Sequence, residues 1–369
     1  MFEELKPTLG SLVTYLINLF TTSGKLKSLE GLSGLEKSEA ILHNLIIKEK
    51  VPGLSITINK NGETIFQNGF GYADIENKIS VEPRNTIFRI ASISKCITAL
   101  AFGKMIEEGL LQFDDSFYKH VPYYPKKAYD FTLRQLASHT AGIRAYRGKE
   151  FGLNEPYSIA DSLEVFKNDS LVFEPGKGYL YNSFDFVLLS LAMQEANGVP
   201  FETYVKEKIL IPLGMTNTFA PPLTKSVSSI ELANQAKFYT KTVLGFEKAI
   251  EVNNFYKLSG GGYLSTSDDV AKLGKAILEQ KILDKGMFKE LCSPQYINGK
   301  STYYGLGFQV SKDKHDRSFI GHVGSSVGAY SNLFIYPKEE LVISILINCT
   351  DSKIQDSLDN AIDALINLE

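Results

Sequence analysis

The sequence predicts an α/β (α+β) fold in which both chain ends build one antiparallel sheet, flanked by helices and joined to a mostly α-helical lobe. Two observations predict it. Short apolar stretches with strand-like patterns occupy residues 54–70 and 305–348, near the two ends of the chain. The middle, from about residue 93 to 210, has mainly helical apolar spacing, with prolines that mark long loops. Strands at both ends with helices between them favour a helix-covered sheet beside a helical lobe.

The N-terminal elements are predicted from the spacing of apolar residues. Residues Ser38–Lys50 place alanine, isoleucine and leucine on one face of a helix. Residues Leu54–Lys60 alternate like a half-buried strand. Asn61-Gly62 is a strong pattern for a two-residue hairpin turn, so we expect Glu63–Gly69 to pair back on that strand.

A glycine-rich turn and a helix start precede the last strands. Ser259–Thr266 contains three consecutive glycines and runs into a short predicted strand. It lacks the spacing of a phosphate-binding loop, so we interpret it as a place of close backbone packing. Thr266–Asp269 has the pattern of a capping box and predicts a helix that runs to Leu278.

The C-terminal part of the chain returns to strands. Short apolar stretches separated by turns predict strands at Leu306–Val310, Phe319–Val323, Tyr330–Tyr336 and Leu341–Asn348. A helix over Lys353–Leu368 is predicted to close the chain.

The predicted elements divide the chain into three parts. Residues 1–37 are an N-terminal extension, in which the mostly apolar run from Leu9 to Phe20 predicts a loosely docked amphipathic helix. Residues 38–350 form the main domain, with the helical lobe at about 110–250. Residues 351–369 form a C-terminal helix packed on the sheet.

The composition narrows the classes of function. The 369 residues can bury a sizeable core, and a net charge of -3 gives no basic footprint for nucleic acid. The five histidines form no H-x-x-x-H or His/Cys cluster, so we expect no bound metal. The apolar run near the N-terminus is too short to span a membrane and lacks a signal-peptide cleavage pattern. Three scattered cysteines indicate free thiols in a reduced compartment, and we expect a cytoplasmic protein.

The pattern Ser92-Ile93-Ser94-Lys95 stands at the start of a predicted helix that ends near Gly109. A serine three residues before a lysine places both side chains on one helix face. The helix N-terminus adds free N–H groups beside the serine, which suits covalent acyl transfer. The second S-x-x-K, from Ser311 to Lys314, precedes charged residues and predicts only a surface position.

Two further segments offer residues for such a site. Tyr181 follows a turn and precedes a predicted helix, so its phenol can face a cleft. His322 lies in a predicted strand between glycines, where ligand and backbone can approach closely. Gly324–Gly328 matches G-x-S-x-G, but a strand follows it and no histidine lies beyond His322, which excludes a nucleophile elbow.

Together these motifs resemble the serine β-lactamase-related family, in the branch that contains class C β-lactamases, D-aminopeptidases and esterases among the penicillin-recognising enzymes. The similarity covers roughly Ser38–Asn348, and Arg89–Lys95 also resembles the mitochondrial serine β-lactamase-like proteins. The segments that carry it, in family order, are Phe88–Lys95, Thr132–Ile143, Phe173–Gly176 leading to Tyr181, Ile211–Met215, Tyr304–Gly307 and Gly321–Gly324.

The resemblance implies roles for particular residues. Ser92 is the expected nucleophile, Lys95 its activating neighbour and Tyr181 the general base, while either of the latter two can take the serine proton. His322 stands where many members carry the lysine of K-T-G. The N–H groups of Ser92 and Ser325 are the expected oxyanion donors. The remaining expected substrate-binding residues are Gly324 and Ser183.

Two departures from the family pattern affect substrate recognition. The family's Tyr-x-Asn reads Tyr181-Asn182-Ser183 here, so Ser183 offers only a hydroxyl in place of the amide. His322 replaces a fixed cation by an imidazole that is largely neutral at pH 7, and we expect it to gain charge as the pH falls toward about 6.5. Both changes weaken recognition of a β-lactam carboxylate.

The sequence therefore predicts a serine hydrolase that cleaves small esters, amides or peptides through an acyl-serine intermediate, without a cofactor. A true class C-like β-lactamase and a penicillin-binding-like protein that is acylated without turnover are the alternatives. The oligomeric state is left open.

Overall fold

A computed structural model of the protein describes residues 24–223, 233–350 and 353–366. The predicted helix between Leu9 and Phe20 lies outside the described residues. The described strands, in chain order, are β1 (Gly53–Lys60), β2 (Glu63–Asp74), β3 (Ile79–Ser80), β4 (Phe88–Arg89), β5 (Tyr239–Thr242), β6 (Gly245–Lys248), β7 (Leu264–Ser265), β8 (Tyr296–Ile297), β9 (Lys300–Ser301), β10 (Gln309–Lys312), β11 (Ser318–Ser326), β12 (Ala329–Tyr336) and β13 (Leu341–Ile347).

The main sheet has seven strands in the order β10-β11-β12-β13-β1-β2-β3, and every neighbouring pair is antiparallel. Strands from the two chain ends meet at its centre, where Ile56 of β1 pairs with Ile345 of β13. Asn61 and Gly62 join β1 to β2 with φ of 52° and 79°, the left-handed geometry of a two-residue hairpin turn. The predicted hairpin and the predicted fold class are confirmed.

Helices cover both faces of the sheet. On one face α1 (Gly34–Ile47) and α9 (Gln355–Ile366) pack together over a core that includes Leu42, Ile56 and Leu358. On the other face α7 (Ser267–Leu278) packs against β1, β12 and β13, between the sheet and the helical lobe. The α-helices of the described residues are α1 (Gly34–Ile47), α2 (Ser94–Glu107), α3 (Phe117–His120), α4 (Leu133–Ala137), α5 (Phe184–Asn197), α6 (Phe201–Val205), α7 (Ser267–Leu278), α8 (Lys285–Leu291) and α9 (Gln355–Ile366).

Several element bounds differ from the predicted ones. The strand predicted from Leu306 begins only at Gln309, because Gly307 adopts a φ of 95° that interrupts an extended chain. The helix predicted to begin at Ser38 starts at Gly34. Thr266 caps α7 by accepting the N–H of Asp269, as the capping pattern predicts.

Candidate active site

Ser92 lies in a single 3₁₀ turn, Ala91–Ile93, directly before α2. The helix proper begins at Ser94, two residues later than the sequence predicts, because Ala91 adopts a φ of 45° and bends the chain sharply. Gly324 of β11 packs against this turn, and a Cβ there would lie 2.9 Å from the Ser92 nitrogen. The absence of a side chain at Gly324 therefore lets β11 run beside the backbone of the predicted nucleophile.

Lys95 projects from the first turn of α2 and is completely buried. Its Nζ donates to Gly260 O at 2.5 Å and lies 3.3 Å from Ser92 Oγ and 3.5 Å from Ser183 Oγ. Burial, together with the positive charge of Lys257, lowers the pKa of Lys95 to about 7. A neutral amine is therefore well populated near pH 7 and can accept a proton from Ser92.

The turn Leu258–Gly262 presents the carbonyl that holds Lys95. Two side chains of α2 fix this turn, since Ser94 Oγ accepts the N–H of Tyr263 at 3.1 Å and Thr98 Oγ1 donates to Ser259 O at 2.8 Å. The three glycines of the turn predicted close packing, but not the contact between Gly260 O and Lys95. The second serine of the Ser92–Lys95 motif therefore has a structural function.

Tyr181 brings its phenol to the same serine. Its Oη lies 2.7 Å from Ser92 Oγ, and its ring centroid lies 4.7 Å from Lys95 Nζ. The side chain keeps 36% of its surface exposed along the cleft, whereas its hydroxyl points inward to Ser92. The low-polarity surroundings raise the pKa of Tyr181 above its ordinary value, so the phenol is protonated in the resting site.

The buried side chain of His139 packs against the ring of Tyr181, a contact that the sequence did not predict. The His139 ring centroid lies 4.6 Å from that of Tyr181, and His139 Nδ1 is 2.9 Å from Asp185 Oδ2. His139 has a φ of 61°, and its carbonyl accepts the N–H of Leu180 at 3.0 Å, which ties the two segments together.

The two residues after Tyr181 have different environments. Asn182 Nδ2 donates to Asp185 Oδ2 at 2.6 Å and to Ile143 O at 3.1 Å, so the amide serves buried partners. Ser183 precedes α5 and places its hydroxyl toward Lys95, at the 3.5 Å given above. The hydroxyl of Ser183 thus stands beside the lysine, as the departure from Tyr-x-Asn implies.

His322 of β11 lies in the cleft wall with only 1% of its surface exposed. Tyr304 Oη donates to its Nε2 at 3.1 Å, and its Nδ1–H donates to Val323 O at 2.6 Å. Burial, with the nearby charge of Lys95, lowers the pKa of His322 to about 3. The expectation that His322 gains charge as the pH falls toward about 6.5 is therefore wrong, because sequence alone does not show burial.

A titration of His322 by NMR checks this correction. We expect the Cε1–H resonance of His322 to stay constant between about pH 5 and about pH 8, because the ring remains neutral throughout. His322→Gln identifies the resonance. A sigmoidal shift with a midpoint near 6.5 would show that the imidazole does titrate at neutral pH and would restore the original expectation.

A cleft of about 500 Å³ joins the predicted site residues. A larger groove of about 690 Å³ lies between α1 and α9, on the opposite face of the sheet and away from Ser92. The smaller cleft is the candidate site, since it exposes Ser92 and Tyr181 together, with the buried Lys95 in contact with the same serine. Its lining includes Ser92, Tyr181, Ser183, His322 and Ser325, together with Lys257, Gly260 and Gly261.

Two other features of the described ranges bear on function. Across residues 24–223, 233–350 and 353–366, no helix combines the length and apolar character that a bilayer crossing requires. Within the same ranges, His, Cys, Asp and Glu side chains form no group of three or more suited to holding a metal ion.

This chain matches a protein-family model and several named relatives. A family model described as Beta-lactamase matches residues 37–367. The mitochondrial serine β-lactamase-like protein LACTB of Homo sapiens is 28% identical over 83% of this chain and 72% of its own length. Penicillin-binding protein 4* of Bacillus subtilis is 27% identical over 75% of this chain and 63% of its own length.

Solved structures share the fold. The octameric penicillin-binding protein homologue from Pyrococcus abyssi superposes with a TM-score of 0.77 and 25% identity, covering 90% of this chain and 77% of its own. The D-amino acid amidase from Ochrobactrum anthropi SV3, at 20% identity, superposes with a TM-score of 0.78 over 91% of this chain and 99% of its own. With the family model spanning most of its length, the chain belongs to the β-lactamase family.

Proposed function

We propose that this protein is a serine hydrolase that cleaves esters or amides through an acyl intermediate on Ser92. One observation carries the proposal: Ser92 Oγ lies within hydrogen-bonding reach of both Lys95 Nζ and Tyr181 Oη, at the wall of an open cleft. A nucleophile between two proton-transfer groups is the arrangement that acyl transfer requires. Family membership agrees with this chemistry.

Acylation begins with removal of the Ser92 proton. Lys95 is the better acceptor of the two candidates, because its pKa of about 7 leaves much of the amine neutral at pH 7. The pKa of Tyr181 is raised, so its phenol keeps its proton and donates to the serine oxygen or to the leaving group. Attack of Ser92 Oγ on the substrate carbonyl forms a tetrahedral oxyanion. The oxyanion collapses to the acyl-enzyme as the leaving group departs with the proton that Lys95 took from Ser92, transferred directly or through the Tyr181 hydroxyl.

We assign stabilisation of the oxyanion to two backbone N–H groups. The N–H of Ser92 stands at the 3₁₀ turn, beside Gly324. On β11 the N–H of Val323 donates to Gln309 Oε1 at 3.0 Å, on the side of β10. Residues two apart in a strand direct their N–H groups to the same side, so the Ser325 N–H faces the space that β10 leaves open. Both donors border the cleft and support the predicted oxyanion hole.

Deacylation needs a water molecule activated beside the ester carbonyl. Lys95 and Tyr181 both contact the serine oxygen. After the leaving group departs with its proton, Lys95 is neutral again and can take a proton from that water, directly or through the Tyr181 hydroxyl. This pair favours turnover over a protein that is acylated and stalls. A neutral, buried His322 lacks the charge that the K-T-G lysine supplies, which favours esters or amides over β-lactams.

A substrate panel tests this proposal. We expect measurable turnover of p-nitrophenyl esters or D-amino-acid amides, with kcat/KM at least ~10-fold higher than for nitrocefin, about the effect of losing one charge-assisted hydrogen bond. If nitrocefin were the best substrate, a true β-lactamase would replace the present proposal. Stoichiometric acylation of Ser92 without turnover of any substrate in the panel would indicate a penicillin-binding-like protein that is acylated and not regenerated.

A further inference from the structure

A second buried lysine borders the cleft and has no role in the proposed acyl transfer. Lys257 precedes the Leu258–Gly262 turn, and only 3% of its surface is exposed. Its Nζ donates to Phe151 O at 2.7 Å. The rings of Phe151, Tyr146 and Tyr256 surround it, with centroids 4.7, 5.2 and 5.2 Å from Nζ. The ammonium group thus has one hydrogen-bond acceptor and a partly aromatic cage.

The other hydrogen-bond donors of Lys257 are not matched by the described part of the chain. No carboxylate there forms an ion pair with Lys257, and the carboxylate of nearby Glu150 is held by both terminal nitrogens of Arg144, at 2.6 and 2.9 Å. Lys95, by contrast, lies near three oxygen atoms, those of Gly260, Ser92 and Ser183. Of the two cleft lysines, Lys257 is therefore the one with free donor capacity.

The groups that face Lys257 make its charge unfavourable in the empty cleft. Arg89 and Lys95 add positive charge, while the phenols of Tyr146 and Tyr256 are neutral. Burial and the charge of Arg89 lower the pKa of Lys257 to about 7. An anion that reached Nζ would replace lost hydration and offset this repulsion.

We infer that Lys257 binds a carboxylate of the substrate and selects esters or amides that carry one near the scissile carbonyl. The inference rests on the proposed function, because it assumes that Ser92 in the same cleft is the reacting group. Lys257 precedes the Leu258–Gly262 turn and His322 lies on β11, so the charge of Lys257 does not replace the one missing at the K-T-G position. Lys257 acts here as a specificity-determining residue. It neither takes nor gives the Ser92 proton; its charge affects proton transfer only through the pKa of Lys95, in the same way for anionic and neutral substrates.

The inference predicts a pH dependence with a defined sign. A carboxylate at Nζ raises the pKa of Lys257 from about 7, so binding takes up a proton wherever the free lysine is neutral. Selectivity for anionic over neutral substrates should therefore increase as the pH falls from about 8.5 to about 6, and then level off. Both substrates depend equally on Lys95, so the ratio of their kcat/KM values isolates the effect of Lys257.

Matched esters measure this ratio and locate the carboxylate. On the acyl side, mono-4-nitrophenyl glutarate is compared with 4-nitrophenyl valerate; on the leaving-group side, 4-acetoxybenzoate is compared with its methyl ester. For at least one pair, we expect Lys257→Met and Lys257→Gln to lower the anionic-to-neutral ratio by at least ~10-fold and to abolish its pH dependence. Lys285→Met removes the same charge at an exposed position outside the cleft and serves as the control. Unchanged ratios for both pairs would overturn the inference.

A binding measurement separates this inference from the proposed function. Calorimetry measures ligand affinity for Ser92→Ala and for the double variant Ser92→Ala/Lys257→Met. Two pairs of ligands are compared: glutaranilate with the neutral valeranilide, and 4-acetamidobenzoate with its methyl ester. We expect Lys257→Met to weaken at least one carboxylate by ~10-fold or more relative to its neutral partner. Equal effects on both partners of each pair would refute the anion site. Failure of Ser92 itself to be acylated in the wild-type protein would instead refute the hydrolase proposal.

Discussion

Replacing Ser92 with alanine is expected to lower kcat for the best ester at least ~10³-fold, because the covalent route is lost outright. The side chain is small and borders the cleft, so the fold should be unaffected. The measurement is steady-state hydrolysis by the purified variant, with circular dichroism to confirm that it is folded. The residual rate should be that of a cleft that only orients substrate beside water.

Ser311 provides a matched control within the same chain. It begins the other S-x-x-K pattern, but it lies in β10 and does not line the cleft. Ser311→Ala should keep kcat within about twofold of the wild type, as expected for a substitution remote from the chemistry. Near-wild-type hydrolysis by Ser92→Ala would place the nucleophile elsewhere.

Lys95→Met and Tyr181→Phe are each expected to lower kcat by ~10²–10⁴-fold, the usual range for loss of a proton-transfer group. The two act on one oxygen, Ser92 Oγ, at 3.3 and 2.7 Å, so their effects should not multiply. The double variant should be little slower than the worse single variant. Phenylalanine at 181 keeps the ring contact with His139 and removes only the hydroxyl.

The pH dependence of the same reaction identifies the base. For a neutral ester, kcat/KM should rise with pH and level off above an apparent pKa near 7, because only neutral Lys95 accepts the serine proton. This rise of kcat/KM with pH should be absent from the residual activity of Lys95→Met and retained in Tyr181→Phe.

Fully multiplicative losses in the double variant Lys95→Met/Tyr181→Phe would show that the two residues act independently.

The sequence predicts the fold well because its strands and hairpin are encoded locally. The left-handed turn at Asn61-Gly62 depends on neighbouring residues alone. Alternation along Leu54–Lys60 predicts the strand itself, but not that β1 is buried on both faces, because the helices that cover the sheet are distant in sequence. Bounds shift where a backbone conformation depends on tertiary contacts, as at Ala91, whose φ of 45° delays the start of α2. Propensity and periodicity do not reveal such a conformation.

For the candidate site, the sequence likewise predicts the residues but not the contacts between them. Ser92, Lys95, Tyr181 and His322 are predicted from motifs in family order, and they meet at one cleft. The contacts that set their chemistry come from long-range packing. The Gly260 carbonyl reaches Lys95 across 165 positions, and Asp185 meets His139 across 46. Burial also decides that His322 stays neutral, which reference pKa values alone do not show.

Reaction of Ser92 with a fluorophosphonate, followed by intact-mass and peptide analysis, tests whether Ser92 is the nucleophile. We expect one phosphonyl adduct per chain, located on Ser92 with loss of fluoride and formed more slowly in Lys95→Met. An unmodified wild-type protein, or an adduct that persists in Ser92→Ala, would show that Ser92 is not the nucleophile.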